Sequence, residues 1–581
     1  MSEARVGSRP GPRDWQQHYD PGVPSTLKYE ELTLPAALRR SAERHAHRTA
    51  LVYLGTRIRY AELLQQVDRL AAALAELGVG RDTKVAIQLP NVPQAVMAYF
   101  AVQSLGGQVV MTNPLYTDAE LEHQWQDAGC TLAFVLDFTW KDRLGRMRDR
   151  LPVRHWIACS LVDCLPWPKR SLARRKLSKL DPPKAADLSA TAGVTTWHDL
   201  LRRGRAASGE RPAPPAWTDL AMLQYTGGTT GRSKGAMLSH RNLASNVQQL
   251  HSWLPSVREG DETFLAVLPY FHVFGLTVCM LFPVWVGGAI VLQPDARDSR
   301  AIAENIARYR VTVLALVPMM FRSVTTLPGV EQIDLSSVKG VFSGSAPLPR
   351  EVQDRFEQLT GGRILEGYGL SETSPVTHIN PVEGVRKPGT IGMPLPDTDA
   401  KVVDAEDGRT ELPVGGDGEL LLAGPQVMEG YWNRPEETAQ ALLDGWFHTG
   451  DLAARDADGY FRIVGRKKEM IVVGGLKVYP DDVDRVLAGH PGVMEAATIG
   501  VPDARHGETV KSFVVKRPGA AVSEENLLAY CREHLAPYKV PRTIEFRDEL
   551  PRSTMLKVLR RELLRQELER RAEHGRQEKQ P

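Results

Sequence analysis

The sequence predicts an α/β protein, with a large N-terminal α/β region built from subdomains and a smaller α+β domain at the C-terminus. Segments of helical apolar periodicity alternate with short β-rich runs through the first 465 residues, and beyond residue 480 that rhythm changes. Length points the same way. A chain of 581 residues exceeds what one core supports, since single cores stop growing near ~250–300 residues.

The elements follow in chain order. LLQQVDRLAAALAELGVG (63–80) is an amphipathic helix closed by glycine, and KVAIQL (84–89) is the strand after it. PQAVMAYFAVQSLGG (93–107) and QVVMTN (108–113) repeat the pair. So do SRAIAENIARYR (299–310) with VTVLALVP (311–318), and VQDRFEQLTGG (352–362) with RILEGYG (363–369). TVCMLFPVWVGGAIVL (277–292) is too short to span a bilayer, which takes ~20 apolar residues, and its proline and glycines mark a buried helix, turn and strand. Later, DDVDRVLAGHPGV (481–493) is a helix, MEAATIGVPD (494–503) a strand and turn, VKSFVVKRPG (510–519) a strand and SEENLLAYCREHL (523–535) a helix. This gives three expected divisions: 1–465, 466–565 and a polar tail, 566–581, that frays. Two stretches break the rhythm. Residues 166–185, PWPKRSLARRKLSKLDPPKA, form a basic, proline-flanked insert, and 202–217 an exposed linker.

Composition is ordinary for a globular enzyme: 42% hydrophobic, 24% charged and a net charge of +2, with no polyanion-binding signature, so nucleic acid is not expected. The five cysteines are scattered and pair in no CxxC motif, which fits a reducing, cytoplasmic setting. The N-terminal stretch has no apolar run able to serve as a signal-peptide core.

YTGGTTGRSKG (225–235) carries the strongest chemical signal, lying between the apolar LAMLQ and the helix-like LSHRNLASNVQQL. Glycines let backbone N–H groups converge on anionic oxygens, the hydroxyls of Thr226, Thr229 and Thr230 add donors, and Lys234 supplies charge. The lysine stands three positions after Gly231, so this is not the P-loop spacing. A flexible Gly/Thr linker is the plain alternative. GYGLSET (367–373) sets Tyr368 between glycines, suited to stacking on a base, and offers Glu372 as a hard oxygen ligand. A core tyrosine beside a turn is the commoner use of such a pair. Asp451, after Thr449 and Gly450, is a turn aspartate that could also accept from a ribose diol, and Arg466 is a cation suited to phosphate or ribose oxygens.

Taken in this order, YTGGTTGRSKG, GYGLSET, TGD (449–451) and GRKKEMIVVGG (465–475) resemble the adenylate-forming superfamily of acyl-CoA synthetases, luciferases and peptide-synthetase adenylation domains, from about residue 30 to 565. The resemblance implies ATP and CoA as co-substrates and Mg2+ as cofactor. It assigns the nucleotide to Tyr225, Thr226, Gly227, Gly228, Thr229, Thr230, Gly231 and Lys234, to Gly344, Ser345 and Ala346, to Glu366, Gly367, Tyr368, Gly369 and Ser371, and to Asp451 and Arg466. Thr226 and Glu372 would hold the metal. His272, in the apolar LPYFHVFGL, would face the substrate carboxylate, and with Val273, Phe274, Gly275, Val317 and Met319 would wall the acyl pocket. Lys557 matches the lysine that stabilises the adenylation transition state, and Lys468 the pivot of a mobile C-terminal domain. The sequence departs from the family in one place: Leu556 stands where glycine usually precedes that lysine.

The whole pattern looks most like bacterial medium- and long-chain fatty acid–CoA ligases, with aryl (coumarate-like) ligases and luciferase-like oxygenases as alternatives. The insert at 166–185 could rest on anionic lipid at the inner face of the membrane, or be a solvated basic loop. Whether the chain pairs as a homodimer stays open.

Overall fold

The computed structural model describes residues 13–206, 213–226, 232–503, 505–553 and 557–577. The chain divides into two compact units, residues 1–399 with 423–447, and residues 400–422 with 448–581.

The first unit holds two large sheets. In one, the order is Met393–Pro394, Val376–Ile379, Arg363–Gly369, Gly340–Ser343, Val313–Leu316, Thr263–Ala266, Ala289–Leu292, Thr49–Tyr53 and Thr56–Arg59. Its central strands run parallel, in register Leu316–Ser343–Glu366, so their carboxyl ends lie level along one edge. The other runs Gly430–Tyr431, Lys234–Ser239, Leu220–Thr226, Gln108–Met111, Lys84–Gln88, Leu132–Leu136, His155–Cys159 and Val194–Thr196. The helix Pro93–Ser104 is buried from residue 93 to 103, as an apolar helix without a polar face must be. Its two glutamines are tied down, Gln94 donating to Ser160 O at 2.7 Å and Gln103 to Ala221 O at 3.3 Å.

The second unit has a sheet of Asp399–Val403, Gly418–Ala423 and Trp446–Arg455, on which Phe461–Arg466 also pairs. Its second sheet centres on the hairpin Val493–Asp503 and Gly507–Lys516. Alternation along these two strands splits their side chains between two cores. Val493, Val510 and Val514 pack with the helices Pro480–Ala488 and Glu524–His534, whereas Ala497, Ile499, Val501, Phe513 and Val515 pack with Leu550 and Leu563.

The expected helices and strands are present, and four expectations change. The insert contains a helix, Lys169–Leu177, with no buried residue. Residues 202–206 close the helix Trp197–Ala206, where a side chain at Gly204 would strike Arg69 O at 1.9 Å, so this part of the expected linker packs tightly; residues 207–212 lie outside the described residues. The run after the Gly/Thr loop is first a strand, Lys234–Ser239, and only then the helix His240–Trp253. The polar tail does not fray up to Gln577: the helix Arg560–Gln577 continues through it, with Glu567 buried. Leu563 packs into the core and Lys511 Nζ meets Glu567 and Glu545 at 2.8 Å each, which anchors one side of so polar a helix; losing one partner would cost ~3–5 kcal/mol by leaving a buried charge uncompensated. No helix among the described residues is long and apolar enough to cross a membrane.

Candidate active site

The carboxyl ends of the parallel strands gather most of the expected residues of the first unit. His272–Gly275 follow Thr263–Ala266, Val317 and Met319 follow Val313–Leu316, Gly344–Ala346 follow Gly340–Ser343, and Glu366–Gly369 close Arg363–Gly369. Ligands of open α/β sheets bind outside such ends. Ser345 has φ +76°, a left-handed conformation that costs a non-glycine residue ~1–2 kcal/mol. A side chain at Gly344 would come within 3.3 Å of the Phe274 ring, one at Gly369 within 2.0 Å of Pro375 O, and one at Gly275 within 2.4 Å of Pro269 O. These glycines are therefore fixed by packing as well as by any ligand. Glu366 is pushed up by burial and restrained by the N–H groups of Gly389 and Leu348.

His272 is held from two sides by residues that sequence reading passed over. Asn91 donates to Ala266 O and Leu268 O at 2.9 Å each and accepts from Tyr270 N at 3.1 Å, while Gln224 donates to Phe271 O at 3.0 Å. The imidazole caps the next helical turn, Nδ1 accepting from Phe274 N at 3.2 Å. Val273 and Val317 are buried and Met319 half-buried. Tyr368 is half-buried and packs edge-on against His378, its cross-strand partner, with ring centroids 6.0 Å apart.

Gly227, Gly228, Thr229, Thr230 and Gly231 lie outside the described residues, but both stems of their loop are clear. Thr226 and Lys234 are a cross-strand pair. The Tyr225 ring is buried in the core, its hydroxyl donates to Asp127 at 2.7 Å, and its backbone pairs with Gly235 across the ladder. Asp127 also takes Arg434 at 2.8 Å, and its carbonyl accepts from Trp432 Nε1 at 3.1 Å.

Tyr431 joins the cation to the carboxylate. Its strand pairs with Lys234–Ser239, Lys234 Nζ lies 5.3 Å from its ring centroid, and its hydroxyl donates to Glu372 Oε1 at 2.8 Å. Burial first, and then the Glu372 charge, hold the phenol protonated. The 3-10 turn Ser371–Thr373 packs against both stems of the Gly/Thr loop, and Met428 N donates to Glu372 O at 2.8 Å. No role for Tyr431 is read from the sequence.

Glu372 and Thr226 offer hard oxygens, the donors Mg2+ prefers. Among the described residues no three or more His, Cys, Asp or Glu gather as a protein-only metal cage would require. One carboxylate and one hydroxyl suit a Mg2+ that takes its remaining ligands from water and nucleotide phosphates.

The second unit carries the other set. Asp451 lies in a strand rather than a turn, opposite Arg466, with Oδ1 3.2 Å from Nε. It is 5% exposed. Gly450, at φ +70°, lets the chain bend beside it, its N–H donating to Glu419. Lys468 is exposed within the short turn Lys467–Glu469. The Lys557 side chain is exposed, yet crowding by protein and the Arg466 charge push its pKa down, opposed by Asp451, Glu469 and Asp481. Leu556 lies outside the described residues.

Residues 38–432 match the model of the AMP-binding enzyme family, and 482–557 that of its C-terminal domain. The chain belongs to the AMP-binding enzyme family. Within that family it is similar to a long-chain-fatty-acid–CoA ligase of Bacillus subtilis, 40% identical and covering 96% of this chain and 98% of the relative. A ligase of the same description from Escherichia coli O6:H1 is 38% identical, over 94% and 97%. The fold resembles ATP-bound MatB from Rhodopseudomonas palustris, with a TM-score of 0.79 and 31% identity over 92% of this chain and 99% of that one.

Proposed function

We propose that this AMP-binding enzyme is an ATP-dependent, AMP-forming fatty acid–CoA ligase acting on medium- or long-chain acids. The observation that carries the reading is the meeting of Lys234 and Glu372 on Tyr431, where the turn Ser371–Thr373, just after the strand of Tyr368, packs against both stems of the Gly/Thr loop. The two bacterial ligases support the acyl class.

In the first half-reaction the substrate carboxylate attacks the α-phosphorus of ATP, forming the acyl-AMP anhydride as the bond to pyrophosphate breaks. Lys234 and the loop N–H groups bind phosphate oxygens, Tyr368 stacks on adenine, and Asp451 accepts from the ribose hydroxyls with Arg466 beside it. Lys557 neutralises charge that develops at phosphorus, an effect worth ~3–4 kcal/mol for one well-placed donor. Mg2+ held by Glu372 and Thr226 would supply charge neutralisation at the phosphates. In the second half-reaction the CoA thiol, losing its proton, attacks the acyl carbonyl and AMP leaves. His272 lies where the acyl carboxylate would enter, and Val273, Phe274, Gly275, Val317 and Met319 line the way for its chain. The C-terminal domain turns about Lys468 between the two steps. The basic helix Lys169–Leu177 meets anionic lipid, from which a fatty acid is drawn.

The test is AMP release by purified protein with ATP, Mg2+ and CoA over acids from acetate to oleate, with coumarate added. A maximum between C12 and C18 is expected. A maximum at coumarate would replace the substrate class, and no AMP with any acid would remove the ligase reading.

A further inference from the structure

The backbone around Lys557 is pinned by its own neighbours. Ser553 N donates to Lys557 O at 2.8 Å, Lys557 N donates to Ser553 Oγ at 3.2 Å, and Arg552 and Val558 pair as an antiparallel bridge. Leu559 N then donates to Pro551 O at 2.8 Å, and the next residue, Arg560, opens the C-terminal helix. Whatever fixes Arg560 therefore fixes Lys557, three residues before it.

Arg560 is fixed by three carboxylates. Nη1 donates to Glu469 at 2.8 Å, and Nη2 donates to Asp484 at 2.6 Å and to Asp481. Only 18% of its side chain is exposed, and the planar fork lets one cation serve all three. The partners divide into two arms. Asp481 and Asp484 share the helix Pro480–Ala488, so that arm joins one helix of the unit to another. Glu469 closes the turn Lys467–Glu469, immediately after Lys468. The second arm thus runs from the start of the Lys557 helix straight to the proposed pivot.

We infer that the Glu469–Arg560 ion pair is a positioning link that ties the Lys557 loop to the hinge turn, so that the setting of the hinge and the placing of the lysine are one event. The inference rests on the adenylation role proposed for Lys557 and the pivot role of Lys468. Glu469 and Arg560 act through Lys557 and are positioning residues.

The experiment uses the full chain with Glu469→Gln, which removes the charge of the hinge arm and leaves both aspartates on Arg560, alongside Glu469→Asp and Lys557→Ala. ATP–pyrophosphate exchange reads adenylation, acyl-CoA formation from supplied acyl-AMP reads thioesterification, and thermal unfolding reads the fold. A displacement of about 1 Å can cost ~100-fold, so Glu469→Gln is expected to lower the kcat of exchange at least tenfold, with KM for ATP and the thioesterification rate changed less than twofold. Glu469→Asp should recover part of the loss, and the unfolding temperature should stay within about 2 °C. Normal exchange, an equal fall in both half-reactions, or a fall that tracks a lowered unfolding temperature would each overturn the link. Lys557→Ala separates the two layers: if it leaves exchange intact, the role given to Lys557 fails and the link with it. If it cripples exchange while Glu469→Gln does not, the link alone fails.

Discussion

Tyr431 shows how much a site can owe to a residue that links two others. Its phenol donates to Glu372 while its ring lies under Lys234, so one side chain sets the spacing between a cation and a carboxylate. Tyr431→Phe keeps the ring and removes the donor. A hydrogen bond to a charged group is worth ~1.5–3 kcal/mol, so the variant should unfold at a slightly lower temperature and, still folded at the assay temperature, need about tenfold more Mg2+ for half-maximal ATP binding by calorimetry without acid. An unchanged Mg2+ requirement would remove Tyr431 from this role. Lys234, Glu372 and Asp451 could be singled out from the sequence because each sits in a short motif whose residue types suggest a local chemistry, whereas Lys557 is singled out by resemblance alone. Tyr431, Asn91 and Asp127 are not, because their meaning comes from which distant strand they reach. Asn91 is one more polar residue after a strand until its amide is seen clamping the segment before His272. Tyr225 is the reverse case, since its motif is plain but the motif does not tell that its ring packs in the core and bonds Asp127.

Elements with a strong period were legible: the helix Tyr60–Glu76 and the strand Lys84–Gln88 both lie where apolar spacing puts them. Those whose order comes from charge were not. The helix Arg560–Gln577 looks like a solvated tail because Leu563 and the Lys511–Glu567 pair are a small part of its length, yet they decide its place. The helix Lys169–Leu177 hides for a related reason. Arg170 meets His198 at 3.1 Å and Arg174 donates to Ala186 O at 2.7 Å, which anchors one side of it, while the other presents Leu172, Arg175 and Lys176. Trp167 is 77% exposed and Leu172 68%, beside the cations. Apolar side chains among lysines and arginines suit a membrane interface, where each cation near an anionic surface contributes ~1 kcal/mol. The protein should float with vesicles containing phosphatidylglycerol and not with pure phosphatidylcholine. Arg175→Glu combined with Lys176→Glu should abolish flotation without slowing turnover of a short, soluble acid. Equal flotation of both proteins would assign the helix to solvent.

At the scale of the molecule, the change of rhythm near residue 465 announced a second domain but not its outline. The compact division falls before His448 and adds residues 400–422, because Asp399–Val403 and Gly418–Ala423 pair with the sheet of Trp446–Arg455 and Phe461–Arg466. Pairing between segments so far apart leaves no mark in local periodicity. The pivot proposed at Lys468 therefore lies inside the second compact unit rather than at its border. Lys468→Pro would fix φ and restrict the residue before it, so a large backbone turn there would be lost. ATP–pyrophosphate exchange is expected to survive within about threefold while acyl-CoA formation falls ~100-fold; equal retention of both steps would move the pivot elsewhere. The outline has one more consequence. The chain changes unit at 399–400, at 422–423 and again at 447–448. A relative's C-terminal domain spliced on at a single junction would bring its own hinge and lysine but leave two strands of the host behind, so a working hybrid has to exchange both segments of the second unit together.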